Sequence, residues 1–238
     1  MLSDDCGIFI VGGSVLLLSH ELNQRVWNDV LDSTLYMQLA SEAKQSSLAD
    51  YEQWWAQYSS QFNQFGWTRL QSFGGGYGPD PEQARQSLRK IVASKLSLYL
   101  SSNSIEAVDR ALIELTRLPT HSAVRAQLRQ YSLVEDSASN LTAVRLQLGI
   151  ALKGLRFICL SFSFTTRETL PNSGIEHLFQ TNDIVGEIKF NGCVAVLDST
   201  AFELWRQRIG SVVAPAREDL IKAVHSLLPN QQAVDLKR

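Results

Sequence analysis

Cysteine is scarce and scattered: Cys6, Cys159 and Cys193 are the only three, no two of them form a C-x-x-C pair, and any single bridge leaves one over. That excludes a disulfide scaffold and a zinc knuckle. The four histidines, His20, His121, His177 and His225, form no H-x-x-x-H or H-E-x-x-H pair, so no metal is expected. Runs of like charge are missing too, with Lys+Arg 22 set against Asp+Glu 24 for a formal charge of -2. Sequence-independent nucleic-acid binding needs a basic stripe to displace counterions, and a polybasic membrane patch needs the same cluster; neither is present. The apolar run from Gly7 to Leu18 is too short to span a bilayer, and it follows Asp4 and Asp5, where a secretory signal carries positive charge. The expectation is synthesis in the cytosol, with any export following a route not signalled here. No G-x-S-x-G elbow occurs.

What the chain does have is enough apolar sequence for a full core, 45% over 238 residues. Ile8 to Val11 reads as a strand turned by Gly12-Gly13. The glycine spacing from Gly7 to Ser14 lacks the lysine of a phosphate-binding loop. From Leu22 to Ala43 the period turns helical, with Trp27, Leu31, Thr34, Leu35 and Gln38 on one stripe and Ser19 as the expected cap. Ser47 to Asp50 reads as the cap of a second helix. Its Tyr51, Trp55, Tyr58, Phe62 and Phe65 form an aromatic ladder, read as helix packing with a ligand cavity as the other use. Trp67 to Phe73 reads as a strand. Gly74-Gly-Gly-Tyr-Gly78 reads as a flexible linker into a helix capped by Asp80 and started by Pro81. Ala84 to Tyr99 and Ile105 to Leu115 then read as an antiparallel helix pair.

After Pro119 the period changes. Ser122 to Val134 fits helix or strand, with strand favoured near its end. Thr142 to Leu152 alternates, Lys153-Gly154 turns, and Ile158 to Phe164 returns as the partner strand, in which Cys159 serves as structural filling. Pro171 to Gly174 reads as a loop. Thr200-x-x-Glu203 reads as a capping box for a helix that Pro215 breaks or restarts, and Leu220 to Leu228 as the last helix. The whole is an α/β chain with an α+β tendency and a single domain over 1–238. Its helical part is about 19–118, its antiparallel strand-rich part about 122–197, and its closing helices about 200–228.

The remaining chemistry gathers at Glu187 to Leu197. Ile188, Phe190, Val194 and Val196 share one strand face; Cys193, Ala195 and Leu197 share the other, behind the polar Glu187, Lys189 and Asn191. Gly192 removes a side chain beside the sulfur, as where something approaches the backbone closely. A buried cysteine is most often a small hydrophobe. A reactive one needs a cation, a histidine or a helix N-terminus beside it; Lys189, the helix near Thr200, His177 and His225 are the candidates. The paired carboxylates Asp29 and Asp32 read as a solvated helix side.

The segments Asp29 to Tyr36, Gln38 to Ala40, Tyr51-x-x-Trp54-Trp55-x-x-Tyr58 and Phe65-Gly-Trp67 resemble a set of uncharacterised bacterial and fungal proteins. The layout, with one cysteine on a late strand, resembles the Erwinia virulence factor family, whose members help bacteria persist in the insect gut. That resemblance implies an α/β fold and palmitate in thioester linkage to a cysteine, carried over by position to Cys193. It implies a non-enzymatic host-interaction factor whose fatty acyl chain enters an apolar cavity of its own protein, with a host membrane or host protein as the further partner. The alternatives are a thiol acyltransferase or thioester hydrolase, with Cys193 as nucleophile and His225 or His177 as base, and a plain interaction module.

Overall fold

The computed structural model describes residue 2 and residues 6–47, 50–136, 138–170 and 177–224. In chain order the elements are β1 Gly7–Val11, β2 Ser14–Leu18, α1 Gln24–Glu42, α2 Tyr51–Ser60, β3 Trp67–Tyr77, β4 Arg85–Ser87, α3 Leu88–Leu96, α4 Ser102–Arg117, α5 Ala123–Ser132, β5 Leu133–Asp136, β6 Leu141–Leu152, β7 Arg156–Thr166, β8 Leu178–Gln180, β9 Ile184–Leu197, α6 Ser199–Leu220 and β10 Ile221–Ala223. Eight strands form one sheet in the order β10-β1-β2-β6-β7-β9-β3, with β5 also pairing β6; β4 and β8 form a separate small ladder. All pairings are antiparallel except β2 with β6.

The sheet is covered on both faces, which is why its central strands read as nearly continuous apolar runs. Ile188 and Val194 of β9 join Leu148, Leu160 and the α3–α4 residues Val92, Leu96, Val108 and Leu112 on one face. Cys193, Ala195 and Leu197 join α1, α2 and α6 on the other. The expected alternation of β6, β7 and β9 and the hairpin at Lys153-Gly154 are all present, with Gly154 at φ 79 completing the turn. Gly12, at φ 52, likewise closes the β1–β2 hairpin.

The α/β class holds, with the first part mostly helical and the second strand-rich and closed by α6, but one sheet joins the two parts. The sheet draws β1, β2 and β3 from before Pro119, and α5 falls after it. Gly74 to Tyr77 is strand rather than linker. A Cβ at Gly74 would sit 2.6 Å from Asn191 Oδ1, one at Gly76 2.3 Å from Glu187 Oε2, and one at Gly75 3.4 Å from the Phe190 ring, so side chains of β9 lie where those of β3 would be. Asp80 closes a turn, accepting from Glu82 N and Gln83 Nε2, and the helix beyond begins only at Leu88.

Three caps sit away from the expected residues. Asn23, not Ser19, accepts from Val26 N at the start of α1, and Ser19 is held through its own N–H to Ala151 O. Asp50, not Ser47, caps α2 by accepting from Gln53 N; Leu48 and Ala49 lie outside the described residues. At α6, Asp198 accepts from Thr200 N and Ala201 N, while Glu203 pairs outward with Arg25 and Arg206. Helix α6 also runs unbroken through Pro215, whose missing N–H leaves the Ser211 carbonyl on an exposed turn where water can serve it. The chain then leaves the helix: Ile221–Ala223 is a strand on β1, and the expected helical positions Leu227 and Leu228 lie outside the described residues, as does the loop expected at Pro171 to Gly174.

Candidate functional site

The described thiols are buried and free of disulfides. Cys193 and Cys159 stand directly opposite in the β7–β9 register, both on the face covered by α1, α2 and α6, with Cys193 at 0% exposure. Burial pushes the Cys159 thiol up to about 12 and raises that of Cys193 as well; Arg69 opposes the latter only as the smallest of the influences on it. Around them lie Tyr58, whose buried hydroxyl neighbours both sulfurs, and the Gln147 amide, 3.7 Å from Cys159 Sγ. Gly192 has its reason on the opposite face, where a Cβ would fall 2.2 Å from the Phe73 ring.

The expected activators of Cys193 that lie among the described residues are elsewhere. Lys189 reaches the exposed Glu52. His177 lies 2.5 Å from Glu168 and packs edge-on against Phe179, which belongs to the other face of the sheet. The α6 N-terminus is held by Asp198, and His225 lies outside the described residues. Asp29 and Asp32 are no solvated helix side: they fasten α6 to α1. Arg206 donates twice to Asp29, itself 3% exposed, at 2.7 and 2.8 Å, and Arg217 donates to Asp32 at 2.8 Å. Desolvation raises the Asp32 carboxyl despite this partner.

A cleft that no local sequence pattern marks lies above the thiol pair. Strand β6 pairs with β5 through Val144 and with β2 from Gln147, so Arg145 and Leu146 pass a gap in the ladder. Gly12, Gly13, Leu35, Gln38, Leu39, Glu42, Ser47, Tyr51, Trp54, Tyr131, Arg145, Gln147 and Leu220 line the space at that gap, a narrow cleft of about 60 Å3. Helix α2 sends Tyr51 and Trp54 into it as stacked rings, centroids 5.5 Å apart, while Trp55, Tyr58 and Phe62 of the same ladder pack inward. Of the ladder read from the sequence, Tyr51 borders this space, and Trp55, Tyr58 and Phe62 serve helix packing. The Tyr51 hydroxyl bonds Ser161 at 2.6 Å. Arg145 lies over the Tyr51 ring, 5.0 Å from its centroid, and donates one N–H to Ser47 O. Burial lowers its pKa. Glu42 spends both carboxylate oxygens on Ser47 N, at 3.1 and 3.0 Å, leaving Arg145 without a carboxylate in ion-pair contact among the described residues.

Among the described residues no group of three or more His, Cys, Asp or Glu is arranged to hold a metal ion, and no helix is long and apolar enough to cross a membrane. No family model matches the chain, and no curated protein matches it. Solved structures similar to it include the following two. A protein described as a delta-endotoxin is 12% identical, with 78% of this chain and 81% of that chain covered and a TM-score of 0.47. The activated Cyt2Ba monomer from Bacillus thuringiensis subsp. israelensis is 12% identical, with 56% and 74% covered and a TM-score of 0.33.

Proposed function

We propose that the protein acts by binding rather than by catalysis, as a host-interaction factor in which Cys193 carries palmitate as a thioester. The observation that carries the non-catalytic part is the setting of the sulfur: buried on an apolar face, its thiol raised by burial, with none of the described histidines or lysines beside it. A nucleophile that turns over needs the opposite, an accessible thiolate with a base at hand. The palmitoyl part and the host role rest on the family resemblance of the sequence.

Burial dictates when such a group would be attached. Loading exchanges one thioester for another: the Cys193 sulfur bonds to the acyl carbon, the donor's carbon–sulfur bond breaks, and the thiol proton leaves with the donor. It must precede closure of α1 and α2 over the sheet, because the folded thiol is shielded. Each methylene then removed from water contributes about 0.8 kcal/mol. Intact mass of the homologously produced protein, before and after hydroxylamine, is the test. A labile increment of one palmitoyl group, lost in Cys193→Ala, is the expected result; its absence overturns acylation.

A second reading, the plain interaction module, draws on the close packing about this strand, where Phe73 fills the space beside Gly192 and Cys159 faces Cys193. It predicts that Cys193→Ser leaves the biological effect intact.

A further inference from the structure

We propose that the polar end of the sheet, where α2 begins, is a binding site for a short zwitterionic peptide, with its terminal carboxylate on Arg145 and its terminal ammonium on Glu187. The site lies on the same face as Cys193 but nearer the wet start of β9, and it does not depend on the state of that thiol. There the apolar positions give way to a polar row: Arg145 of β6 stands opposite Ser163 of β7, which stands opposite Lys189 of β9. The start of α2 is fastened beside this row, with Tyr51 bonded to Ser161, Arg145 over the Tyr51 ring and Lys189 paired with Glu52. Between them is a space of about 450 Å3, with Tyr51, Arg145, Ser163, Thr165, Glu187 and Lys189 among its walls. Small-molecule sites run to about 300–1,000 Å3, so it can hold a ligand.

Two unmatched charges select that ligand. Arg145 is partly withdrawn from water, which lowers its pKa, yet it has no carboxylate in ion-pair contact among the described residues. Glu42 and Asp50 favour its charge from farther off, but they accept from Ser47 N and Gln53 N. One guanidinium N–H goes to Ser47 O, which leaves the rest of a planar donor fork for the paired oxygens of a carboxylate. Across the space, the exposed Glu187 has no ion-pair partner among the described residues, because Lys189 is taken by Glu52 and feels Glu187 only as its weakest influence. A ligand with two negative ends would meet Glu187, and one with two positive ends Arg145. Ser163 and Thr165, on the strand between, have hydroxyls that no described residue engages, so they can serve peptide groups. Length narrows the choice further. Strands β6 and β9 are two spacings apart, about 10 Å, and three extended residues span about the same distance.

Isothermal titration of the full-length chain with trialanine, its C-terminal amide, its N-acetyl form and free alanine tests this. Trialanine should bind roughly tenfold more tightly than each of the other three, as expected for a hydrogen-bonded charge at each end. Arg145→Gln should bring the amide level with trialanine, and Glu187→Gln should do the same for the N-acetyl form. No binding of trialanine, or an amide, N-acetyl form or alanine that binds as tightly to the unsubstituted protein, overturns the proposal. So does either variant that folds and keeps its preference; the exposed Glu187 keeps the test decisive if Arg145→Gln does not fold.

Discussion

Between the sheet and helices α3 and α4 the packing is mostly aliphatic, with Ile91, Val92, Leu96, Val108, Leu112, Leu148 and Leu160; between the sheet and helices α1 and α2 it is ring against ring. Trp54 stacks on Tyr58 at 5.2 Å, Tyr58 meets Phe62 edge-on at 5.4 Å, and Phe62 contacts both Trp67 and Phe157. The second face also carries the polar interior: Gln38 bonds Ser14, Gln61 bonds Ser41 and the Met37 carbonyl, and Trp67 bonds Ser33. Aliphatic side chains fill space without polar obligations, whereas indoles, phenols and amides must find partners when buried, so a cleft with specific chemistry arises on the side that has them.

Six changes, taken in pairs, would break or sharpen this contrast. Phe62→Ala, at the crossing of three ring contacts, should cost about 3–5 kcal/mol in urea unfolding and collapse the near-ultraviolet circular dichroism. Leu112→Ala on the other face should cost about 2–5 kcal/mol yet leave that signal in place. Next comes Arg206→Ala, which strands the buried Asp29 carboxylate and should cost about 2–4 kcal/mol. The equivalent deletion on the aliphatic side, Arg89→Ala, opens an ion pair whose partners are 33% and 37% exposed and should cost about 1 kcal/mol or less. Asp198→Ala should cost about 1 kcal/mol and Thr200→Ala less than about 0.5 kcal/mol, since only the first supplies the cap of α6.

The smallest effect is in the pH profile. The folded Asp32 carboxyl lies above its ordinary 3.8, so within the window above that value the folded state holds a proton the unfolded chain has lost. Its contribution therefore favours folding on the acid side and fades as pH rises through the folded pKa. Glu203, lowered first by Arg206, works in the opposite sense: its contribution is present above the unfolded pKa and lost as pH falls through the folded one. Asp32→Asn should remove the acid-side gain from a urea-midpoint profile between pH 3 and 7 (about the carboxylate range) and leave the Glu203 loss.

The central strands were the most legible part of the sequence, because β6, β7 and β9 place an apolar residue at nearly every second position. Helix starts were legible to within a few residues, since Ser19 and Asn23, or Ser47 and Asp50, are both competent caps and tertiary contacts choose between them. Glycines 74 to 76 could not be read as strand, because what makes them strand is the side chains of β9, more than a hundred residues away. Burial of Cys193 followed from its face of the strand. The cleft did not follow from anything local: Gly12, α1, α2, α5 and β6 each lend it a residue or two, and its only trace in sequence was an arginine among apolar strand positions and a tyrosine and tryptophan three apart.

The parallel seam between β2 and β6 has a consequence for how the chain is made. Ser14 to Leu18 is buried at every position, but its partner, Gln147 to Ala151, is synthesised more than a hundred residues later. During translation the first hairpin therefore waits as an unpaired greasy ribbon, and contacts of such long sequence separation form slowly. A ribosome-associated chaperone that shelters the nascent amino-terminal ribbon would raise the yield of this protein more than one acting after release.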